Sequence, residues 1–219
     1  MTLYKEQEQA CRQLGNAEAL AGSLVGQVMI LTQLGRADQG FPLVEEAYQL
    51  ATRHGHMTLA KRIEPIRTGV YLELVETANE LGDEAKRLLA QKQFEEAMHL
   101  FKKEEELWRQ VGDKAGLANS INNQGEVLRM QGHIEEALFL YRQSESIFRE
   151  VGDETGLPIP LANQAEVLAQ HMGRAQEALP LAEEAYRLAK AQGLGDLAEQ
   201  IEPILSAVRQ MVRGESGAS

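Results

Sequence analysis

The chain has 219 residues, enough for one or two ordinary domains or for one elongated repeat array. Hydrophobic residues make up 43% and charged residues 25%, a globular balance, and at a net charge of −11 the 22 Lys and Arg are scattered, leaving no basic stripe for nucleic acid. A single cysteine, Cys11, excludes an intrachain disulfide, and with no signal-peptide core and no apolar run near the ~20 residues of a membrane span, the expected location is the cytoplasm.

The first element, residues 1–15, is defined by what it matches further on. YKEQEQACRQLGNAEAL (4–20) aligns without a gap on FKKEEELWRQVGDKAGL (101–117), a spacing of 97. Residues 101–111 form the second helix of a helical hairpin. Residues 4–14 are therefore expected to be a second helix that lacks its first, so that the chain starts in mid-repeat. Residues 16–55 form a complete hairpin. Its second half, GRADQGFPLVEEAYQLATRHG (35–55), matches GRAQEALPLAEEAYRLAKAQG (173–193) at a spacing of 138, and the match continues from LAKRIEPI (59–66) to LAEQIEPI (197–204).

Residues 56–78 break the rhythm. The step between first helices is 40 from Ala85 to Gly125 and again to Ala165, but 58 from Gln27 to Ala85. Pro65 lies late in a helix, where it kinks or stops it. Residues 57–67 are thus expected to be an extra, capping helix, with the next long helix running from about 68 to 91. A rival reading ends a helix at Leu81, Gly82 and Asp83 and starts another at Glu84. Either way an offset is expected between an N-terminal and a C-terminal lobe.

Three hairpins follow, at 79–113, 114–153 and 154–194. ELWRQVGDKAGL (106–117) superposes on SIFREVGDETGL (146–157) at 40, as QFEEAM (93–98) does on HIEEAL (133–138). The pattern reaches AQEAL (175–179) at 41, a one-residue insertion near His171, Met172 and Gly173. Within one unit Leu117, Ile121, Gly125 and Leu128 make a helical stripe, Gln131 and Gly132 break it, and Ile134, Ala137, Leu138, Tyr141 and Phe148 make the next. Gly152 ends that helix and Asp153 caps the one after. One hairpin cannot bury both stripes, but stacked neighbours can. Residues 195–213 read as a C-terminal capping helix and 214–219 as a disordered tail.

Gly125, Leu128, Gly132, Ile134, Ala137 and Tyr141 stand at the spacing of the tetratricopeptide signature. Ala165, Leu168, Ala178 and Ala185 follow it in the next unit, and Ala85, Leu88, Phe94, Ala97 and Phe101 in the previous one. The sequence resembles tetratricopeptide repeats over residues 4–55 and 79–193, most of all the 40-residue repeats of kinesin light chains and bacterial tandem arrays. The resemblance implies an all-α fold, a right-handed α-solenoid of stacked antiparallel helical hairpins. Gln124 and Gln164 depart from it at a slot that is usually a large aliphatic, as do Glu104 and Ser144 at one that is usually alanine. Wetter packing is expected there.

Nothing in the sequence argues for an enzyme or a cofactor. There is no phosphate-binding glycine loop, no His-Glu-x-x-His and no cysteine pair for a metal. His54-Gly55-His56 suits a helix C-terminus better than a metal site. Glu104, Glu105 and Glu106 point to different sides of one helix. Trp108 stands where sister copies hold Phe148 and Cys11, so it is core.

What the resemblance implies is binding. First helices of such arrays line a concave groove for a protein or extended peptide. Here that groove would show Asn79, Asn119, Asn122, Asn123, Glu126, Arg129, Met130, Asn163, Glu166 and Gln170. An asparagine amide both donates and accepts, so it can clamp a peptide backbone, or it can merely bond neighbouring helices. Lys86 is the one groove lysine, so the carboxylate-gripping set of chaperone-binding relatives is not matched. The expected function is a non-catalytic scaffold, a module or partner of a larger bacterial signalling protein. The alternatives are a homodimerising element that uses Leu3, Tyr4 and Cys11 at the N-terminal edge, and a peptide-sensing regulator.

Overall fold

The computed structural model describes residues 2–217, all-α and without a strand among them. Two compact units divide the chain, the first ending at Asn79 and the second beginning at Glu80. In the first, α1 (Thr2–Leu14), α2 (Ala17–Gln33), α3 (Ala37–Arg53) and the start of α4 (Met57–Ala90) follow one another. The second holds the end of α4, then α5 (Phe94–Val111), α6 (Lys114–Gln131), α7 (Ile134–Val151), α8 (Pro158–Glu166), α9 (Ala175–Ala191) and α10 (Gly195–Gly217). Of the tail expected to be disordered, residues 218–219 lie outside the described residues. No described helix is long and apolar enough to cross a membrane.

Local chemistry sets the turns. Asn16 and Asp113 each accept a backbone N–H three residues on, from Ala19 at 3.0 Å and Gly116 at 2.9 Å, and so satisfy a donor that the first helical turn leaves open. Asp153 accepts from Gly156 at 3.0 Å in the same way. Gly132 ends α6 at φ 86°, a left-handed conformation that costs glycine nothing. Lys92 holds the same place after α4 at φ 61°.

Packing between first and second helices uses glycines as sockets for rings. A Cβ at Gly125 in α6 would lie 2.7 Å from Tyr141 Cε1 in α7, and one at Gly116 would lie 2.5 Å from the Trp108 ring. Gly156 faces Phe148 likewise, and Gly26 in α2 faces Tyr4 in α1. Tyr141, Phe101 and Phe148 are fully buried, and the described apolar residues of the second unit pack as three clusters along it.

The glutamines in the aliphatic slot are dry rather than wet. Gln124 and Gln164 are 5% and 2% exposed, and each Nε2 donates at 2.7 Å to a carboxylate 19 residues earlier, Glu105 and Glu145. Gln27 and Glu8 repeat the bond at 2.7 Å in the first unit. Glu145 also takes Arg149, which reaches on to Glu184 at 2.8 Å; Glu8 takes Arg12, which reaches Glu46 at 2.7 Å. Each chain of bonds thus ties a second helix to both helices of the hairpin that follows. Glu104 is buried, accepts from Trp108 Nε1 at 3.2 Å, and has its other oxygen unpartnered. The Ser144 hydroxyl is likewise buried without a hydrogen bond.

Two local outcomes differ from the sequence pattern. No break separates residues 57–67 from those that follow: Met57–Ala90 is one helix of 34 residues with Pro65 inside it. Pro65 is exposed, so the carbonyl of Lys61, which loses its N–H partner, can turn to water. The residue inserted near His171 is absorbed as a π-turn, Val167–His171, at the end of α8.

Candidate functional site

The first helices α6 and α8 lie side by side in the second unit. Asn119, Asn123, Glu126 and Met130 recur at steps of four and three, which puts them on one stripe of α6. Asn163, Glu166 and Gln170 make the matching stripe of α8 and its π-turn. Asn163 Nδ2 donates to Asn122 Oδ1 at 3.0 Å, which fixes one helix against the other. Asn122 is 6% exposed, so it props the wall of the site and does not face it. Asn123 is half-buried, Asn119 exposed, and neither makes a hydrogen bond among the described residues.

Glu126 is the centre of a small polar network. Its two oxygens accept from Arg129 at 2.8 and 2.6 Å, and Oε2 also accepts from the Tyr141 hydroxyl at 3.0 Å. Hydrogen bonding to Glu126 pushes the Arg129 guanidinium further up. Burial, then the Glu126 charge, push the Tyr141 phenol well up from its ordinary range, so it stays a donor. Arg129 also feels the charge of Glu166. Asn119, Met130 and Gln170 are exposed and Asn123 and Glu166 half-buried, beside the hydrogen-bonded set of Asn122, Asn163, Glu126, Arg129 and Tyr141. Such a surface can donate to and accept from a polypeptide backbone. No group of His, Cys, Asp or Glu able to hold a metal comes together among the described residues.

Other residues singled out by sequence fall elsewhere. Asn79 is exposed on α4 and belongs to the first unit. Lys86 is exposed, with Nζ 3.3 Å from Asp83. At the N-terminal edge Leu3 is 74% exposed, but Cys11 is buried and the Tyr4 ring packs against Gly26. Leu14, 82% exposed, is the other bare apolar residue of α1. Sequence reasoning missed the Tyr141–Glu126 bond, because the two residues lie 15 apart on different helices.

Hairpins of two antiparallel helices, ring-in-glycine packing and a polar stripe on the first helix define an all-α repeat protein. Residues 76–150 match the family model of the tetratricopeptide repeat, so that segment is tetratricopeptide-like in sequence as well as in fold. No curated protein matches the sequence. Among solved structures, BtubC (BKLC) from P. vanneervenii is similar at 14% identity over 91% of this chain and 93% of that one, with a TM-score of 0.45. The TPR2AB domain of yeast Sti1, in its complex with pHSP90, is similar at 12% identity over 95% of this chain and 77% of that one, with a TM-score of 0.49. With both scores under 0.5, neither likeness bears on what this chain binds.

Proposed function

We propose that the protein is a non-catalytic scaffold that binds an extended peptide or a protein segment along α6 and α8. The observation that carries this reading is Asn123, a half-buried amide without a hydrogen bond on a stripe whose neighbours are braced from below. A ligand strand can satisfy both ends of that amide. Asn163, its counterpart at 40, is already bonded to Asn122 and has a mainly bracing role. In a cell the scaffold would serve as a cytoplasmic module or partner of a larger bacterial signalling protein.

The test is to pan a displayed random-peptide library on the wild-type protein and to titrate the winners by calorimetry. Asn123→Ala should weaken them about fivefold or more, with the melting temperature nearly unchanged. Asn163→Ala should lower the melting temperature, since it orphans a buried amide oxygen. Winners that bind Asn123→Ala as tightly as wild type, or a library that yields none, would overturn the proposal.

A second reading rests on the two bare leucines of α1, which suit a homodimer contact through the N-terminal edge. Leu3→Glu with Leu14→Glu should then turn a dimer into a monomer at unchanged helical content. A wild-type chain that light scattering finds monomeric at high concentration sinks it.

A further inference from the structure

Phe139 is 61% exposed on α7, and it need not be aromatic for the fold. It is the sixth residue of its helix, and the sixth residues of α3, α5 and α9 are Pro42, His99 and Pro180, all exposed. An aromatic ring in water at this one repeat alone therefore asks for a cause outside the packing of hairpins. Beside it lies an open depression of about 390 Å³, with Leu128 at the end of α6 and Leu140 and Phe139 on α7 as its apolar lining. Glu135 and Glu136 complete the lining.

The two carboxylates are exposed, and Glu135 has no ion-pair partner among the described residues. Glu136 has only His133, 3.9 Å away, and that contact counts only when the imidazole is protonated. Arg142, on the next turn, lies within electrostatic reach of Glu177. The α5 copy of this rim is Glu95 and Glu96, again exposed and without an ion pair among the described residues. An apolar floor with an unneutralised acidic edge fits one kind of occupant. It must bring an apolar side chain for Phe139 and positive charge for the glutamates, within the ~10 Å over which exposed charges act. A second copy of this chain, at a net charge of −11, would set acid against acid.

We infer that the α6–α7 depression is a docking surface, separate from the stripe on α6 and α8, for a basic partner segment anchored by an apolar side chain. None of the residues of the peptide stripe lines it. The proposal does not depend on that stripe being a binding site.

The probe is a fluorescently labelled synthetic peptide with two leucines flanked by lysines, compared with its glutamate-flanked twin by anisotropy at low and high salt. The lysine peptide should bind and the glutamate peptide should not, and added salt should weaken binding. Phe139→His, the residue of α5, should weaken binding about fivefold or more at unchanged helicity and melting temperature. Glu135→Gln with Glu136→Gln should weaken it as well, whereas Asn123→Ala should not. Equal binding of both peptides, or full affinity in Phe139→His, overturns the proposal. So do amide shift changes confined to 119–126 and 163–170, which would place the peptide on the other stripe. A change in oligomeric state on Phe139→His without peptide also overturns it, because the occupant is then a second copy.

Discussion

Trp108, Phe148 and Cys11 occupy one position of three second helices, and the residue opposite changes in step. The two large rings face Gly116 and Gly156, while the small thiol has Ala19 at the matching place. A ring on the second helix goes with a bare backbone opposite, and a small side chain leaves room there for a methyl. Gly116→Ala should therefore cost about 1–3 kcal/mol by overpacking, measured by urea unfolding, and Trp108→Leu should recover part of that loss in the double variant. Additive losses would show that the ring is not what the glycine serves. Glu104 answers a different question. Burial holds its carboxyl above the ordinary value of 4.5, so the folded state prefers the protonated form. The cost is absent below pH 4.5, grows as pH rises from 4.5 to the raised value and is constant above it, so this residue penalises the fold at neutral pH and not in acid. Glu104→Gln should raise stability at pH 7 by on the order of 1 kcal/mol and bring no gain at pH 4. A loss at pH 7 that vanishes at pH 4 would mean that the charged form is needed. Gly82 belongs to the same arrangement, since a Cβ there would lie 2.6 Å from Glu104 Oε1. Sequence marks Glu104 as a departure from the family pattern, but its partner Gly82 is 22 residues away on another helix and carries no mark of its own.

At the scale of helices, the bond chains from glutamine to glutamate to arginine add polar ties to the apolar packing between hairpins. Glu145→Ala should cost about 1–3 kcal/mol by leaving the Gln164 amide buried without an acceptor. Adding Gln164→Leu, which returns the slot to an aliphatic side chain, should restore much of it in a double-mutant cycle. If the two losses simply add, the glutamine does not depend on Glu145. The helices and their register are legible in the sequence because apolar positions recur at 40 and 97. The bond chains were legible too, had the polar recurrence been read as closely: Glu8, Glu105 and Glu145 precede Gln27, Gln124 and Gln164 by 19 every time. The length of α4 was not legible. A proline reads as a stop, and whether water can serve the carbonyl it frees depends on exposure, which only the packed structure fixes. The candidate site was legible as a stripe of polar residues. That Asn122 turns inward while Asn123 stays open was not, since neighbouring residues on a helix differ by about 100° and a small rotation decides which is covered.

The whole molecule is acidic, and that shapes what it can meet. A net charge of −11 favours positively charged partners and disfavours close approach of a second copy unless an apolar contact, such as one through Leu3 and Leu14, compensates. Repeats spread such choices along the chain, because each hairpin touches only its neighbours and can change its outward residues alone. Phe139 among Pro42, His99 and Pro180 shows that freedom at one position. The π-turn at Val167–His171 extends it to length. Arg149 reaches Glu184 across 35 residues, whereas Arg12 reaches Glu46 across 34, yet both close the same ion pair. The wider turn works as a slack loop in a belt. It swallows one added link between two fixed buckles, so a gain or loss of a single codon there need not put the rest of the array out of phase.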